Sequence, residues 1–207
     1  PVLSDDKIFL TGMENKSLLT IALERESGKV LWKKKAPKTE IEKFHPSSSP
    51  VTPTPFVEEK RLYIYFGSYG LICYDHQGLE IWKKPLPTPR SLYGTASSPL
   101  VHENLLIQVI DDDANMPNSQ VSRSRILALD KESGEIIWER FRPFHRSGWS
   151  TPTIWEHGSS RELVVLGNGS LRGYSLPDGE ETWQVDGFSR ETIARPMTGN
   201  GKVYASG

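Results

Sequence analysis

The sequence has a single cysteine, Cys73, in 207 residues. It can therefore close no internal disulfide and build no cysteine-rich zinc site, and one thiol does not report a redox compartment. Cys73 is expected to be a small core residue. No apolar run approaches the roughly 18 residues of a membrane-spanning helix. An excess of one charge is lacking too: 25 Lys and Arg stand against 26 Asp and Glu, for a formal net charge of −1. With the signs interspersed, nothing implies a nucleic-acid footprint or an anionic membrane partner. Helix periodicity is absent, and the five histidines form no HxH or HxxxH pair, which argues against a zinc site. The chain begins Pro1-Val2-Leu3-Ser4, without an initiator methionine or the charged and apolar regions of a signal peptide, and reads as cut from something longer.

What is present is a repeat. Gly28, Gly78, Gly134 and Gly179 each precede a tryptophan by four residues, giving Trp32, Trp82, Trp138 and Trp183. A second marker is a proline opening an apolar run at Pro1, Pro55, Pro99, Pro152 and Pro196. A polar turn and a further strand follow each, as at Leu62-Tyr63-Ile64-Tyr65 and Leu105-Leu106-Ile107. Each unit reads as four short strands in series, here called A to D, at the roughly 40 to 50 residue period of propeller blades. The expected fold is all-β, a β-propeller of four-stranded antiparallel blades over 1–35, 55–84, 99–141 and 152–186, with a half-blade at 196–207. Both ends supply strands A and B, so the window is expected to be one open fragment, 1–207, of about four and a half blades from a ring of seven or eight.

The local physics of one unit is legible. Glu24, Asp75 and Asp130 stand where strand C ends, and an aspartate there accepts bonds from its own backbone to start the turn. The glycine then supplies the positive φ that closes the hairpin into strand D. Small residues Ala22, Cys73, Ala128 and Gly173 are each followed by a large one, which suggests a packing slot facing a neighbouring blade. The four tryptophans are expected to be wedges between blades. Each would bury on the order of 150 to 250 Å², worth at most roughly 4 to 6 kcal/mol at about 25 cal/mol per Å². Lys33-Lys34-Lys35 and Lys83-Lys84 read as protection of the exposed strand D edge.

This recurring Ala-x-Asp-x-x-x-Gly-x-x-x-Trp pattern resembles the quinoprotein-type repeat of the pyrroloquinoline-quinone-like β-propeller family, and it runs through essentially the whole chain. Ala128 to Trp138 matches fully. Ala22 to Trp32 has Glu24 for the aspartate, Cys73 to Trp82 is one residue short, and Gly173 to Trp183 has Ser175. That family includes quinone-dependent dehydrogenases, the propeller lipoprotein of the outer-membrane β-barrel assembly machinery, and secreted bacterial propellers of unassigned role. Ser147-Gly148-Trp149-Ser150-Thr151-Pro152 and Leu166-Gly167-Asn168-Gly169 are most similar to the last group. The resemblance implies an extracytoplasmic location, in the periplasm, at the cell surface or secreted.

Sites are expected on the face that carries the B–C and D–A connections, because several are long: Pro37 to Thr54, Pro85 to Ser98, Asp111 to Arg123 and Arg142 to Thr151. The opposite face has short turns, holding His76, His102 and His157. Asp111-Asp112-Asp113, ahead of Asn115 and Asn118, offers oxygens of the kind calcium takes, but matches no complete calcium loop. Topology should bring these acids near Arg142, His145, Arg146 and Trp149. That group would hold a sugar or planar anion, or else its arginines simply pair with the aspartates. No catalytic residue and no metal ligand set is assigned. The leading expectation is a non-catalytic scaffold or binding module for a protein or polymer partner. One alternative, by resemblance, is a quinone- and calcium-dependent dehydrogenase, with the family's adjacent cysteines and calcium ligands supplied by blades outside this window, so that no cofactor is held within it. The other is a carbohydrate or small-ligand sensor. A fragment of this kind is expected to self-associate through open blade faces.

Overall fold

A computed structural model of the chain describes residues 1–112, 117 and 123–207. Among these residues the structure is all β, with four four-stranded antiparallel sheets and one two-stranded sheet. Strands β1 (Val2–Ser4), β2 (Lys7–Glu14), β3 (Ser17–Glu24) and β4 (Val30–Lys35) form the first sheet, in chain order. The second comprises β5 (Phe56–Val57), β6 (Leu62–Phe66), β7 (Gly70–Tyr74) and β8 (Glu80–Pro85), and the third β9 (Leu100–His102), β10 (Leu105–Ile110), β11 (Arg125–Asp130) and β12 (Ile136–Phe141). Strands β13 (Thr153–His157), β14 (Ser160–Gly167), β15 (Ser170–Ser175) and β16 (Glu181–Asp186) make the fourth, and β17 (Met197–Gly199) pairs with β18 (Lys202–Tyr204). Among the described residues no helix is long and apolar enough to cross a membrane.

The chain divides into two compact units. One is Pro1–Pro89 with Tyr93–Pro99, and the other is Arg90–Leu92 with Leu100–Gly207. In the first, Phe9, Leu18 and Ala22 of one sheet join Leu62, Ile64, Phe66 and Ile72 of the next in a single core. Strands β6 and β7 are buried along their whole length, which is why Leu62-Tyr63-Ile64-Tyr65-Phe66 lacks polar alternation. In the second unit the middle strands β10 and β11 are likewise buried, and Val164, Leu166 and Leu171 gather Trp155, Trp183 and Val203 around them. The fourth strand of every sheet is different. Residues of β4 and β8 alternate between exposed and half-buried, and in β12 Trp138 is the one fully buried side chain.

The turn into that fourth strand is built the same way in all four sheets. Gly28, Gly134 and Gly179 donate their N–H to the carbonyl four residues back, at Glu24, Asp130 and Ser175, over 2.8 to 2.9 Å. The second sheet has one residue fewer, so Gly78 reaches back three, to Asp75, over 3.1 Å. The acidic position works as expected. Asp130 Oδ1 accepts from the N–H groups of Glu132 and Ser133 and from the Ser133 hydroxyl, and Asp75 Oδ1 from those of Gln77 and Leu79. The bonds from Ser133 hold the Asp130 carboxyl below its ordinary value. Where Ser175 replaces the acid, Asp178 supplies the carboxylate from the far side of the turn, bonding the Ser175 side chain and the Glu180 N–H.

Two features were not legible in the sequence. A register shift falls at the same place in each sheet, after Ala22, Cys73, Ala128 and Gly173, so that the partner strand carries one extra residue beside its tryptophan. The small residue is also small for a reason inside its own sheet: Ala22, Cys73, Ala128 and Gly173 are the cross-strand partners of Trp32, Trp82, Trp138 and Trp183. At Gly173 an added Cβ would fall 2.2 Å from Trp183 Nε1, so the packing slot lies under the indole of the same sheet. Cys73 occupies one such slot, fully buried.

The indole then bridges to the next sheet. Trp138 Nε1 donates to the Leu176 carbonyl at 2.8 Å, and its ring covers Gly179, where an added Cβ would lie 2.6 Å from the ring. In the first unit Trp32 Nε1 donates to the His76 carbonyl at 3.1 Å, and its ring would stand 2.9 Å from a Cβ on Gly78. Trp183 instead bonds Glu162 of its own sheet, at 3.0 Å.

Gly28 has the same φ, +70°, yet nothing within 4 Å of where its Cβ would be. Gly28→Ala should therefore cost only the left-handed backbone term, about 1 to 2 kcal/mol. Gly179→Ala adds overpacking against Trp138 and should cost at least about 1 kcal/mol more. Urea midpoints of the two variants test this, and equal costs would mean that the indole moves aside freely.

Candidate functional site

Strand β10 ends by delivering two adjacent carboxylates, and neighbouring strand residues point opposite ways. Asp111 and Asp112 accordingly take different partners, all within the second unit. Asp111 Oδ1 accepts from Arg142 Nη1 at 3.0 Å, with both side chains about 95% buried or more, and Asp111 Oδ2 accepts from the Gly148 N–H at 3.1 Å. Asp112, whose side chain is 1% exposed, lies between two arginines: Arg90 Nε at 2.9 Å from Oδ1 and Arg123 Nε at 3.2 Å from Oδ2. Its backbone N–H donates to Ser124 Oγ at 2.9 Å, and that hydroxyl donates to the His145 carbonyl at 2.7 Å. The β10–β11 and β12–β13 connections are thus tied together by charge pairs and a shared serine.

The Arg142 to His145 turn closes on a 3.2 Å bond from the His145 N–H to the Arg142 carbonyl. Pro143 is followed by Phe144 at φ +66°, a position that in such turns favours glycine. Phe144 is 63% exposed, so a bulky aromatic is held outward on a strained backbone. Below it Arg142, His145 and Tyr174 border a hollow of about 430 Å³. Burial is the largest influence on Arg142 and works against its charge, but Asp111, Tyr174 and Glu181 together outweigh it and hold the guanidinium above its ordinary value. Burial, reinforced by Arg142 and Arg172, pushes His145 down to about 2, so its imidazole is neutral.

Of the residues singled out by sequence, Asp111, Asp112, Arg142 and His145 are brought together. Arg146 and Trp149 lie half-buried on the same connection, where the Trp149 N–H donates to the Thr192 carbonyl at 3.2 Å. Asp113, Asn115 and Asn118 lie outside the described residues. The two described carboxylates do not fit a calcium cage, because guanidiniums occupy the positions a divalent cation would need, and among the described residues no group of three His, Cys, Asp or Glu could hold a metal.

The sequence reading missed Arg90, Ser124 and Glu42. In the first unit Glu42 is 5% exposed on the β4–β5 connection. Its N–H donates to Ser68 Oγ at 3.0 Å, its Oε1 accepts from Thr95 Oγ1 at 2.8 Å, and an added Cβ on Gly67 would fall 2.5 Å from Oε2. Burial raises its carboxyl above the ordinary range. An acid between Ile41 and Lys43 carries no local signal of this; only the glycine at 67 hints that something must fit against it.

The family model described as outer membrane protein assembly factor BamB matches residues 15–207. No curated protein matches the chain. Among solved structures, quinohemoprotein alcohol dehydrogenase ADHIIG from Pseudomonas putida HK5 superposes with a TM-score of 0.61 at 14% identity, over 90% of this chain and 33% of that one. BamB from Moraxella catarrhalis gives 0.57 at 16% identity, over 91% and 55%. A europium-containing methanol dehydrogenase gives 0.65 at 16%, over 90% and 41%. These likenesses show the fold, a β-propeller of four-stranded blades, and the chain spans a third to just over half of the structures it matches.

His145 and Glu42 have opposite pH signatures. His145 stays neutral when folded, so stability should be complete above the unfolded value near 6.5 and fall as pH drops below it, by about 2 kcal/mol at pH 5. His145→Asn should flatten that slope. Glu42 is raised, so its contribution is complete at low pH and lost as pH rises through the folded value. Glu42→Gln should then be more stable than the parent at pH 7, with the gain vanishing in acid. Urea midpoints between pH 4 and 8 read both.

Proposed function

This chain belongs to the family of the outer membrane protein assembly factor BamB, and from that premise we propose that it is a non-catalytic β-propeller scaffold, extracytoplasmic, whose long connections receive a protein partner. The observation that carries the reading is how the polar groups of the β10–β11 and β12–β13 connections are spent. Asp111 pairs with Arg142, Asp112 with Arg90 and Arg123, and Ser124 links the two backbones. Buried pairs of this kind make loops rigid, and rigid loops lower the entropy cost of binding. An exposed aromatic at Phe144 on that framework is the kind of side chain that anchors protein interfaces. The first unit ties its long β4–β5 and β8–β9 connections to the short β6–β7 turn through Glu42, Thr95 and Ser68.

A second reading, a quinone- and calcium-dependent dehydrogenase, draws on the likeness to the alcohol and methanol dehydrogenases. In that case the cofactor ligands would come from outside the Asp111–Asp112 pair, whose oxygens already face arginines.

One experiment separates the two. A photo-crosslinking amino acid is placed at Phe144 or Arg146, or for contrast at Gln77 in a C–D turn, in the intact parent protein in its host. The same protein, purified, is incubated with pyrroloquinoline quinone and calcium and assayed for dye-linked alcohol oxidation. We expect a discrete protein adduct from positions 144 and 146, none from position 77, and no quinone-dependent oxidation. Oxidation that requires quinone, or adducts only from position 77, would overturn the scaffold reading.

A further inference from the structure

We propose that Arg90 and Arg123, held apart by the buried Asp112, form a carboxylate-binding fork that takes an acidic side chain of the partner protein; this rests on the scaffold reading above. Asp112 Oδ1 accepts from Arg90 Nε, and its Oδ2 forms an ion pair with Arg123 Nε. The Nη groups of both arginines are left without a partner among the described residues, and each arginine side chain is 44% exposed. A guanidinium docked through Nε still presents the paired N–H groups of its outer edge, the edge suited to a carboxylate.

The fork is preorganised, because Asp112 cannot swing away. Its side chain is 1% exposed, and its backbone N–H is held by Ser124 Oγ, which is itself bonded to the His145 carbonyl. Two long, flexible side chains from separate connections are thereby held about one buried carboxylate, and much of the rotamer entropy that an exposed arginine loses on binding is already lost.

Charge selects the ligand class. Among the described residues, two arginines and one aspartate leave the cluster at +1, and the neighbouring Asp111 is neutralised by Arg142. A carboxylate monoanion completes that balance. A phosphate dianion would bring excess negative charge up against two existing carboxylates. Arg90 comes from the β8–β9 connection and Arg123 from the β10–β11 connection, so the fork sits among the long connections.

The test uses the full chain and a fluorescein-labelled hexaglutamate peptide, with acetate and inorganic phosphate as unlabelled competitors. Removing both guanidiniums would strand the buried Asp112 charge, so the variants are Arg90→Lys and Arg123→Lys, which keep a cation beside it. Circular dichroism and the urea midpoint confirm that they fold. We expect saturable binding that weakens with salt, falls roughly fivefold in each single variant and more than tenfold in the double, and resists millimolar acetate and phosphate. Binding unchanged in the double variant, or no saturable binding, would overturn the fork. Displacement by acetate at the same concentration as peptide would assign the site to a free small carboxylate, and tighter competition by phosphate would reverse the charge argument; either overturns the proposal. The scaffold reading stands or falls separately, on the adducts from Phe144 and Arg146.

Discussion

The contact on which the fold depends is an indole laid on a glycine. Trp138 needs the Cα of Gly179 bare and the Leu176 carbonyl in reach, and Trp32 makes the same demands of Gly78 and His76. A flat aromatic that satisfies its single N–H on the next sheet's turn contributes apolar burial and a directed bond together. The same local geometry joins the two four-stranded sheets within each unit. The glycine thus answers to two constraints, a left-handed φ and a missing side chain, and these are separable: Gly28 has only the first. The extra residue opposite Ala22, Cys73, Ala128 and Gly173 accompanies the indole in every copy, including the sheet whose turn is one residue short.

With the sheets joined this way, the connections are free to carry polar groups that the blades cannot. Burying a charge is costly unless it is paired, and each acid of the pair that follows β10 has an arginine beside it. Asp111 goes inward to Arg142, and Asp112 goes between two half-exposed arginines. The inner pair fixes the loops to one another. The outer one leaves cationic surface on display, which is where the family's scaffold reading and the local chemistry meet.

The two units handle buried acidity differently. Asp111 is matched by a full cation, while, among the described residues, the Glu42 carboxylate is met only by the hydroxyl and N–H of Thr95. A carboxylate without a cation responds by holding its proton more tightly, so Glu42 is raised by burial. His145 is the reverse case, a base kept neutral by burial beside arginines. Neither behaviour follows from residue type.

How much was legible follows from range. Strand positions, the acid and glycine of each turn, and the four-stranded blade are consequences of residues within about ten positions of one another, and the sequence repeats them, so period and turn chemistry sufficed. The opposition of Asp111 to Arg142 was also within reach, because topology alone sets two long connections side by side. Other features were not: that the small residue lies under its own sheet's tryptophan, that Arg90 reaches Asp112 across 22 positions, that Ser124 ties two backbones, and that Glu42 is buried against Gly67. By itself, then, the sequence determined an all-β repeat, its turns, and which connections are long. Only the tertiary structure decided which charges are buried, which are matched and which face outward, because desolvation and pairing depend on distances between segments that no local pattern encodes.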